Sequence, residues 1–357
     1  MLPIPPASPL LHELDVVAWD PRGTAAVIDE LRTTPPVWVR IGNFFRSSLE
    51  VLRALPPGRL VVWKLEHWGE DTAHRLMAST DVDPENYVRE LMGLGHRVVA
   101  YTFSEVNRRL LRADVPELPE LHVVPVALKE PVSGDGRAAV RAALGVGERE
   151  LLLGAGGLLT RGKGLDELAV GFLRGELGDD VHLLMSIVLD TDHLTAADMR
   201  ARWERLAGCA ATSRFHVRLG NYGGWRWMSD FYRTVDVVLV NSVSESWGRM
   251  VSEPMGIGRP VLVRRARCGS NHVAPGTVLV DDFAQLGAAG LGTATDLARR
   301  RAEGLRKHTC ARYRIPVVRS EFLSLLRSHT PPSRLAEFDR LVRVPEALAA
   351  LDDALCH

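Results

Sequence analysis

The stretch NSVSESWGRMVSEPMGIGRPVLV, residues 241–263, decides the reading of this chain. The apolar run DVVLVN (236–241) reads as a buried strand, a polar loop holding Glu245 follows, and a helix begins near Trp247–Gly248. Glu253 falls inside that helix, and Pro260 opens the next strand. Strand, loop, helix and strand make the repeat of a parallel sheet, whose ligands bind outside the carboxyl ends of the strands. On a continuous helix, two glutamates eight positions apart are separated by about 12 Å of rise and about 80° of rotation. That is wider than the roughly 5–10 Å of a glycosidase carboxylate pair.

Outward from this stretch the same alternation recurs. Ahead of it lie strand candidates ELLLGA (150–155), VHLLMSIVL (181–189) and RFHVRLG (214–220), and RPVLV (259–263) ends the series. The first third has its own set: LDVVAW (14–19), PVWVRI (36–41), RLVVWKL (59–65), HRVVAY (96–101) and LHVVPV (121–126), with helical periods between them. KEPVSGDG (129–136) gathers Pro, Gly, Ser and charge, a linker composition. The expected fold is α/β, two doubly wound parallel-sheet domains facing a cleft. An N-terminal domain covers 1–130, a linker 131–136 and a C-terminal domain 137–315. Helices over 316–357 are expected to pack back on the first domain.

A chain of 357 residues is long enough for two such cores. Lys plus Arg and Asp plus Glu balance at 44 each, so no global field favours nucleic acid or an anionic membrane. The start, MLPIPPASPLLHELD, has neither a basic leader nor a long apolar run, and no stretch of about 20 apolar residues occurs. A cytoplasmic protein without membrane association is expected. Cys209, Cys268, Cys310 and Cys356 are scattered, which argues for reduced thiols and against a zinc site.

LLLGAGGLLTRGKGLDEL (151–168) is the second chemical signal. It places Gly156 and Gly157 at a strand end, then Arg161 and Lys163 before a helix. Two cations beside a glycine-rich turn and a helix N-terminus neutralise a diphosphate without a metal. Gly157 to Lys163 also spells a phosphate-binding loop, but Gly164 stands where Ser or Thr would ligate magnesium. Gly154-Ala155-Gly156 begins a dinucleotide fingerprint and lacks its third glycine, since Leu159 is there. Asp190-Thr191-Asp192 imitates a metal-binding pair and reads instead as the cap of the helix that follows.

Ser242, Glu245, Gly248, Glu253, Met255, Gly258, Pro260 and Val261 match a pattern of the retaining GT-B glycosyltransferases, family 4 in particular, which this region resembles. Pro254 and Gly256 replace two alanines of the pattern. Lys163-Gly164-x-Asp166-x-Leu168 matches a second one, while Leu158 occupies the place of its usual arginine, leaving Arg161 as the nearest substitute. The resemblance implies that Glu245 contacts the donor sugar and that Glu253 accepts from the ribose hydroxyls. It further implies that Lys163 holds the donor diphosphate. Ser246, Trp247, Gly248 and Arg249 would offer backbone donors at a helix start, and Tyr222 or Trp225 would wall the base. In CGSNH (268–272), Gly269 matches the family's glycine-rich loop, and His272 replaces its usual glutamate.

The N-terminal domain resembles the family only in layout. Its cleft-facing candidates are Gly23 in Asp20-Pro21-Arg22-Gly23, Asn43 in Gly42-Asn43-Phe44-Phe45, and Glu66, His67 and Glu70 in Glu66-His67-Trp68-Gly69-Glu70-Asp71. His67 is the candidate aimed at the donor sugar. Three carboxylates in one loop suit a cationic acceptor, such as an aminated sugar or cyclitol. The expected activity is transfer of a sugar, with retention, from a nucleotide sugar to a soluble small-molecule acceptor. Neither metal nor other cofactor is expected. The alternatives are a phosphate-loop nucleotide-binding enzyme and a catalytically silent sugar-nucleotide-binding subunit.

Overall fold

The structure is a computed structural model that describes residues 11–13, 28, 38–66, 82–129, 136–178, 180–188, 194–220, 225–243, 245–266, 273–343 and 345–355. The chain divides into two compact units, Met1–Ala127 with Ile315–His357, and Leu128–Arg314. The divisions thus fall at Ala127/Leu128 and Arg314/Ile315, and the C-terminal helices belong to the first unit. Residues 131–135 of the expected linker lie outside the described residues.

In the first unit five parallel strands stand in sequence order: β1 (Leu11–Glu13), β2 (Trp38–Gly42), β3 (Leu60–Lys64), β4 (Arg97–Thr102) and β5 (Leu121–Val123). The strand beside β2 is therefore Leu11–Glu13, ahead of the expected 14–19, which lies outside the described residues. Two of the crossover helices, Pro84–Gly93 and Glu105–Asp114, begin at recognisable caps. Asp83 accepts from the Asn86 N–H and Ser104 from that of Asn107, each satisfying a backbone donor that a helix start leaves open.

Successive strand residues face opposite sides of the sheet. Val39, Ile41, Val61 and Trp63 pack with Leu49, Leu52, Tyr87 and Leu91 on one side. On the other, Trp38 meets Phe338 edge-on at 5.0 Å and Tyr101 meets Phe322 at 5.4 Å. Helices Ile315–His329 and Leu335–Leu341 so cover the second face, and both faces of β2 and β3 are buried throughout. This is why the strands read as continuous apolar runs rather than alternating ones.

The second unit carries six parallel strands: β6 (Leu151–Leu158), β7 (Val181–Val188), β8 (Phe215–Gly220), β9 (Val237–Val240), β10 (Val261–Arg264) and β11 (Val278–Val280). Their spatial order is β11-β10-β9-β6-β7-β8, so the winding reverses between β6 and β9. β11 was not apparent in the sequence, because three apolar residues after Pro-Gly-Thr carry no periodicity. β6 runs three residues past its expected end. Gly156 permits this, since a Cβ there would lie 2.4 Å from the Ser186 carbonyl oxygen of β7. Thr195, boxed with Asp198, caps the helix Ala196–Ala207. The cap expected from Asp190–Asp192 lies outside the described residues.

A polar clamp fixes the start of β9. Asp236 accepts from the Leu152 N–H at 2.9 Å, from Arg137 at 2.5 Å and from Arg141 at 3.0 Å. Burial pushes its pKa up, but the Leu152 N–H and the two guanidinia outweigh burial and leave it lowered. No described helix is long and apolar enough to cross a membrane.

Candidate active site

The winding reverses between β6 and β9, and the carboxyl ends of strands at such a reversal are the position where open α/β sheets bind ligands. The loop after β6 and the loop after β9 meet there, joined at three points. Val243 N–H donates to the Gly162 carbonyl at 2.9 Å, and Asn241 Nδ2 donates to the Gly164 carbonyl at 2.7 Å. The third link is ionic: Lys163 Nζ stands 2.5 Å from Glu245 Oε1. Gly164 makes the approach possible. It adopts φ 61°, and a Cβ would come within 2.6 Å of both the Asn241 amide nitrogen and its backbone oxygen.

Both partners of the ion pair are largely withdrawn from water, with side-chain exposures of 14% for Lys163 and 8% for Glu245. Glu245 Oε2 is buried and has no hydrogen-bond partner among the described residues. An unsatisfied carboxylate oxygen in such a place costs free energy and awaits a donor. Arg161, two residues before Lys163 in the same 3-10 turn, is exposed and pairs with no carboxylate among the described residues. Gly157 adopts φ 116° with open space where its Cβ would stand, so backbone conformation and not crowding requires glycine.

The helix of the motif starts at Arg249 rather than at Trp247–Gly248, with Gly248 as its cap at φ 100° and no side chain closing its first turn. Half the interval from Glu245 to Glu253 is therefore loop. Helical rise therefore does not set the separation of the two carboxylates. Their surroundings distinguish them instead. Glu253 Oε2 accepts from the Tyr232 hydroxyl at 2.7 Å, and that hydroxyl also lies 3.2 Å from Met250 Sδ. Burial raises the Glu253 pKa, opposed by Arg249 and by the Tyr232 hydrogen bond. Burial, then the neighbouring Glu253, raises Tyr232 well above the usual phenol value. Tyr232 thus stays a neutral donor that orients the carboxylate.

Ser246 and Trp247 are buried beside Glu245. The Trp247 ring meets Tyr313 edge-on at 5.0 Å, and its indole N–H is buried without a partner among the described residues. Sequence reading missed Tyr232, whose only signal was one aromatic among several in WRWMSDFYRT. Tyr222, proposed for the base, lies outside the described residues, as do Gly269 and His272.

In the first unit the carboxyl ends of β2 and β3 form a separate polar corner. Asn43 has φ 35°, the one positive φ outside glycine among the described residues. Its Oδ1 accepts from the Glu66 N–H at 2.9 Å, and its carbonyl accepts from Trp63 Nε1 at 2.6 Å. Lys64, which the sequence reading did not single out, places Nζ 3.4 Å from Glu66 Oε1. Asn43 and Glu66 are thus brought together, whereas Gly23, His67 and Glu70 lie outside the described residues.

No protein-family model matches the sequence, and no curated protein sequence matches it. Solved structures do match. Sucrose-phosphate synthase from Thermosynechococcus elongatus is 17% identical over 88% of this chain and 78% of its own, with a TM-score of 0.66. A glycosyltransferase from Rickettsia africae is 13% identical over 87% and 81%, also at 0.66. HepE from Anabaena, solved with UDP and glucose, is 15% identical over 88% and 83%, at 0.63. The fold is that of the GT-B glycosyltransferases. At such identities the likeness speaks for architecture, and the chemistry rests on the residues of this chain.

Proposed function

We propose that this protein is a retaining glycosyltransferase that moves a sugar from a nucleotide sugar to a soluble small-molecule acceptor. The observation that carries the reading is the meeting of Lys163 and Glu245 where the winding of the six-stranded sheet reverses, with Glu253 held beside them by Tyr232. The similarity to HepE, which was solved with UDP and glucose, supports a nucleotide-sugar donor.

In this reading Lys163 and the exposed Arg161 supply the positive charge that a departing diphosphate requires. Preorganised charge in a water-poor site is the largest single contribution to many such reactions. Glu245 holds the Lys163 ammonium in place, and its second oxygen is available to a sugar hydroxyl. Glu253 accepts from the ribose. The leaving diphosphate itself takes the proton of the acceptor hydroxyl on the same face, so retention needs no enzymic nucleophile. Positive charge from side chains removes the requirement for a metal, and activity is expected to persist in a chelator. The phosphate-loop alternative is not favoured: residue 164 has no hydroxyl for magnesium, and its Cα hydrogen is packed against Asn241.

The test is a thermal-shift scan of nucleotide sugars followed by turnover with the stabilising donor. A ligand at 100 times its dissociation constant adds about 2.7 kcal/mol of stability. Stabilisation by nucleoside triphosphates with magnesium but by no nucleotide sugar would overturn the reading. Donor binding without transfer or donor hydrolysis would instead leave a silent binding subunit.

A further inference from the structure

A second concentration of charge lies in the first unit, away from the carboxyl edge of its sheet. Helix Glu105–Asp114 runs back from the end of β4, which brings its last turns beside the start of β5. There Arg108, Arg109, Arg112, Glu120 and Leu121 line an open cavity of about 350 Å³. This is at the small end of the range for metabolite sites.

The charges of this cavity are poorly compensated from within. Arg108 is paired with Glu105 at 2.6 Å. Arg112 gives its Nη2 to the uncharged Pro119 carbonyl at 3.3 Å. Arg109 is exposed and meets no carboxylate among the described residues. Like charges one turn apart oppose helix formation, so Arg108 and Arg112 work against the element that carries them. Glu120 is the single carboxylate of the lining. Behind it His122 packs edge-on against His329 at 5.5 Å. Burial lowers the His122 pKa first, and His329 and Arg108 lower it further against the pull of Glu120. His122 is thereby kept neutral, and the positive charge of the lining sits on one helix, as Arg108, Arg109 and Arg112.

We propose that this cavity binds a small phosphate monoester, with Arg109 and Arg112 gripping the phosphate and Arg108 completing the guanidinium face. A planar guanidinium fork matches phosphate oxygens in pairs, which an ammonium does not. Glu120 is placed to accept a hydroxyl from the remainder of the molecule. The site belongs to the first unit, whereas Lys163 and Glu245 belong to the second, so the proposal does not depend on glycosyl transfer.

The experiment is calorimetric titration of the full chain with inorganic phosphate, and with acetate as a carboxylate control. Saturable phosphate binding is expected, weakened about tenfold or more in Arg109→Gln/Arg112→Gln, with the affinity for a nucleoside diphosphate unchanged. Lys163→Met should do the reverse. Both arginines are exposed, so an unchanged melting temperature is expected and shows the variant is folded. Equal phosphate affinity in the double variant, loss through Lys163→Met alone, or no saturable binding would each overturn the proposal. Acetate binding as tightly as phosphate would overturn the assignment of ligand class.

Discussion

The carboxyl edges of the two sheets are built differently. In the second unit the winding reverses between β6 and β9, and loops 82 positions apart at Lys163 and Glu245 are drawn together around a gap. In the first unit the described strands stand in sequence order, and the polar corner is made by neighbours, Asn43, Lys64 and Glu66, that contact one another. Among the described residues, the first arrangement leaves a carboxylate oxygen unsatisfied and a guanidinium without a carboxylate partner; the second joins residues close in sequence. Reversal of winding, more than the presence of charged residues, marks the edge equipped for a ligand.

The largest expected effect tests that contrast directly. Lys163→Met keeps most of the stem and removes the charge, and transfer should fall about a hundredfold or more if the ammonium stabilises the leaving diphosphate. The same change strands Glu245, and an uncompensated buried charge costs about 3–5 kcal/mol. Lys163→Met/Glu245→Gln therefore should recover melting temperature without recovering turnover. Near-normal turnover in the single variant would remove Lys163 from the chemistry. Arg161→Met, assayed alongside, shows whether the exposed guanidinium shares the role.

Glu253→Ala follows, with a loss of nucleoside diphosphate affinity of roughly 1.5–3 kcal/mol, the range for hydrogen bonds to a charged group. Tyr232→Phe removes only the orienting hydroxyl and should cost about 1 kcal/mol. If Tyr232→Phe weakens binding as much as Glu253→Ala, the tyrosine is more than a positioning residue. Unchanged affinity in both, by calorimetry on folded protein, would leave the ribose reading without support.

The contrast also explains what was legible in the sequence. Nine of the eleven described strands read as apolar runs because a parallel sheet covered on both faces buries them, and the loops that meet in the second unit stood out by glycine, lysine and glutamate at fixed intervals. That strand set was right in kind but not throughout in place: Leu11–Glu13 is what pairs with β2, and β11 was missed. Tyr232 and Lys64 were not found, because each acquires meaning only through the register that sets it beside a distant or neighbouring carboxylate. Asn43 was chosen for its loop; its φ of 35° and its hold on the Glu66 N–H are facts of the folded chain.

A smaller effect separates loss of fold from loss of site. His182 Nδ1 and His216 Nε2 lie 3.1 Å apart on β7 and β8 with their rings stacked. Burial first, then His182 and Arg200, push the His216 pKa down to about 4. A histidine near 6.5 when unfolded binds the proton more readily in that state, so its contribution is present above about pH 6.5 and lost as pH falls toward 4. Since the ring is only partly buried, the loss is discounted to about 1–2 kcal/mol. It should appear as a falling melting temperature that His216→Phe flattens. Protonation of Glu253, by contrast, should weaken donor binding while the fold persists. A melting temperature independent of pH over that window would show that the histidine pair does not titrate on unfolding.

The smallest effect belongs to the polar corner of the first unit. The sequence raises the expectation of a cationic acceptor from three carboxylates between Glu66 and Asp71, but Glu66 faces Lys64 at 3.4 Å, and both side chains are mostly covered, at 15% and 11% exposure. An amine arriving there finds a carboxylate whose charge is already offset. Glu66→Gln should therefore shift the preference for amino-substituted over hydroxyl-only acceptors by no more than about threefold, the scale of a screened ion pair. Lys64→Met should shift it further, and toward amines, because it removes an ammonium that stands 3.4 Å from the Glu66 carboxylate. The measurement is the ratio of kcat/KM values for matched acceptors at low and high salt, with Glu70→Gln beside the two variants. A tenfold collapse in Glu66→Gln would mean that the corner opens to the acceptor and that the paired geometry is not the working one. Indifference of all three variants to amine and to salt would remove the cationic acceptor and leave the proposed donor site of the second unit untouched.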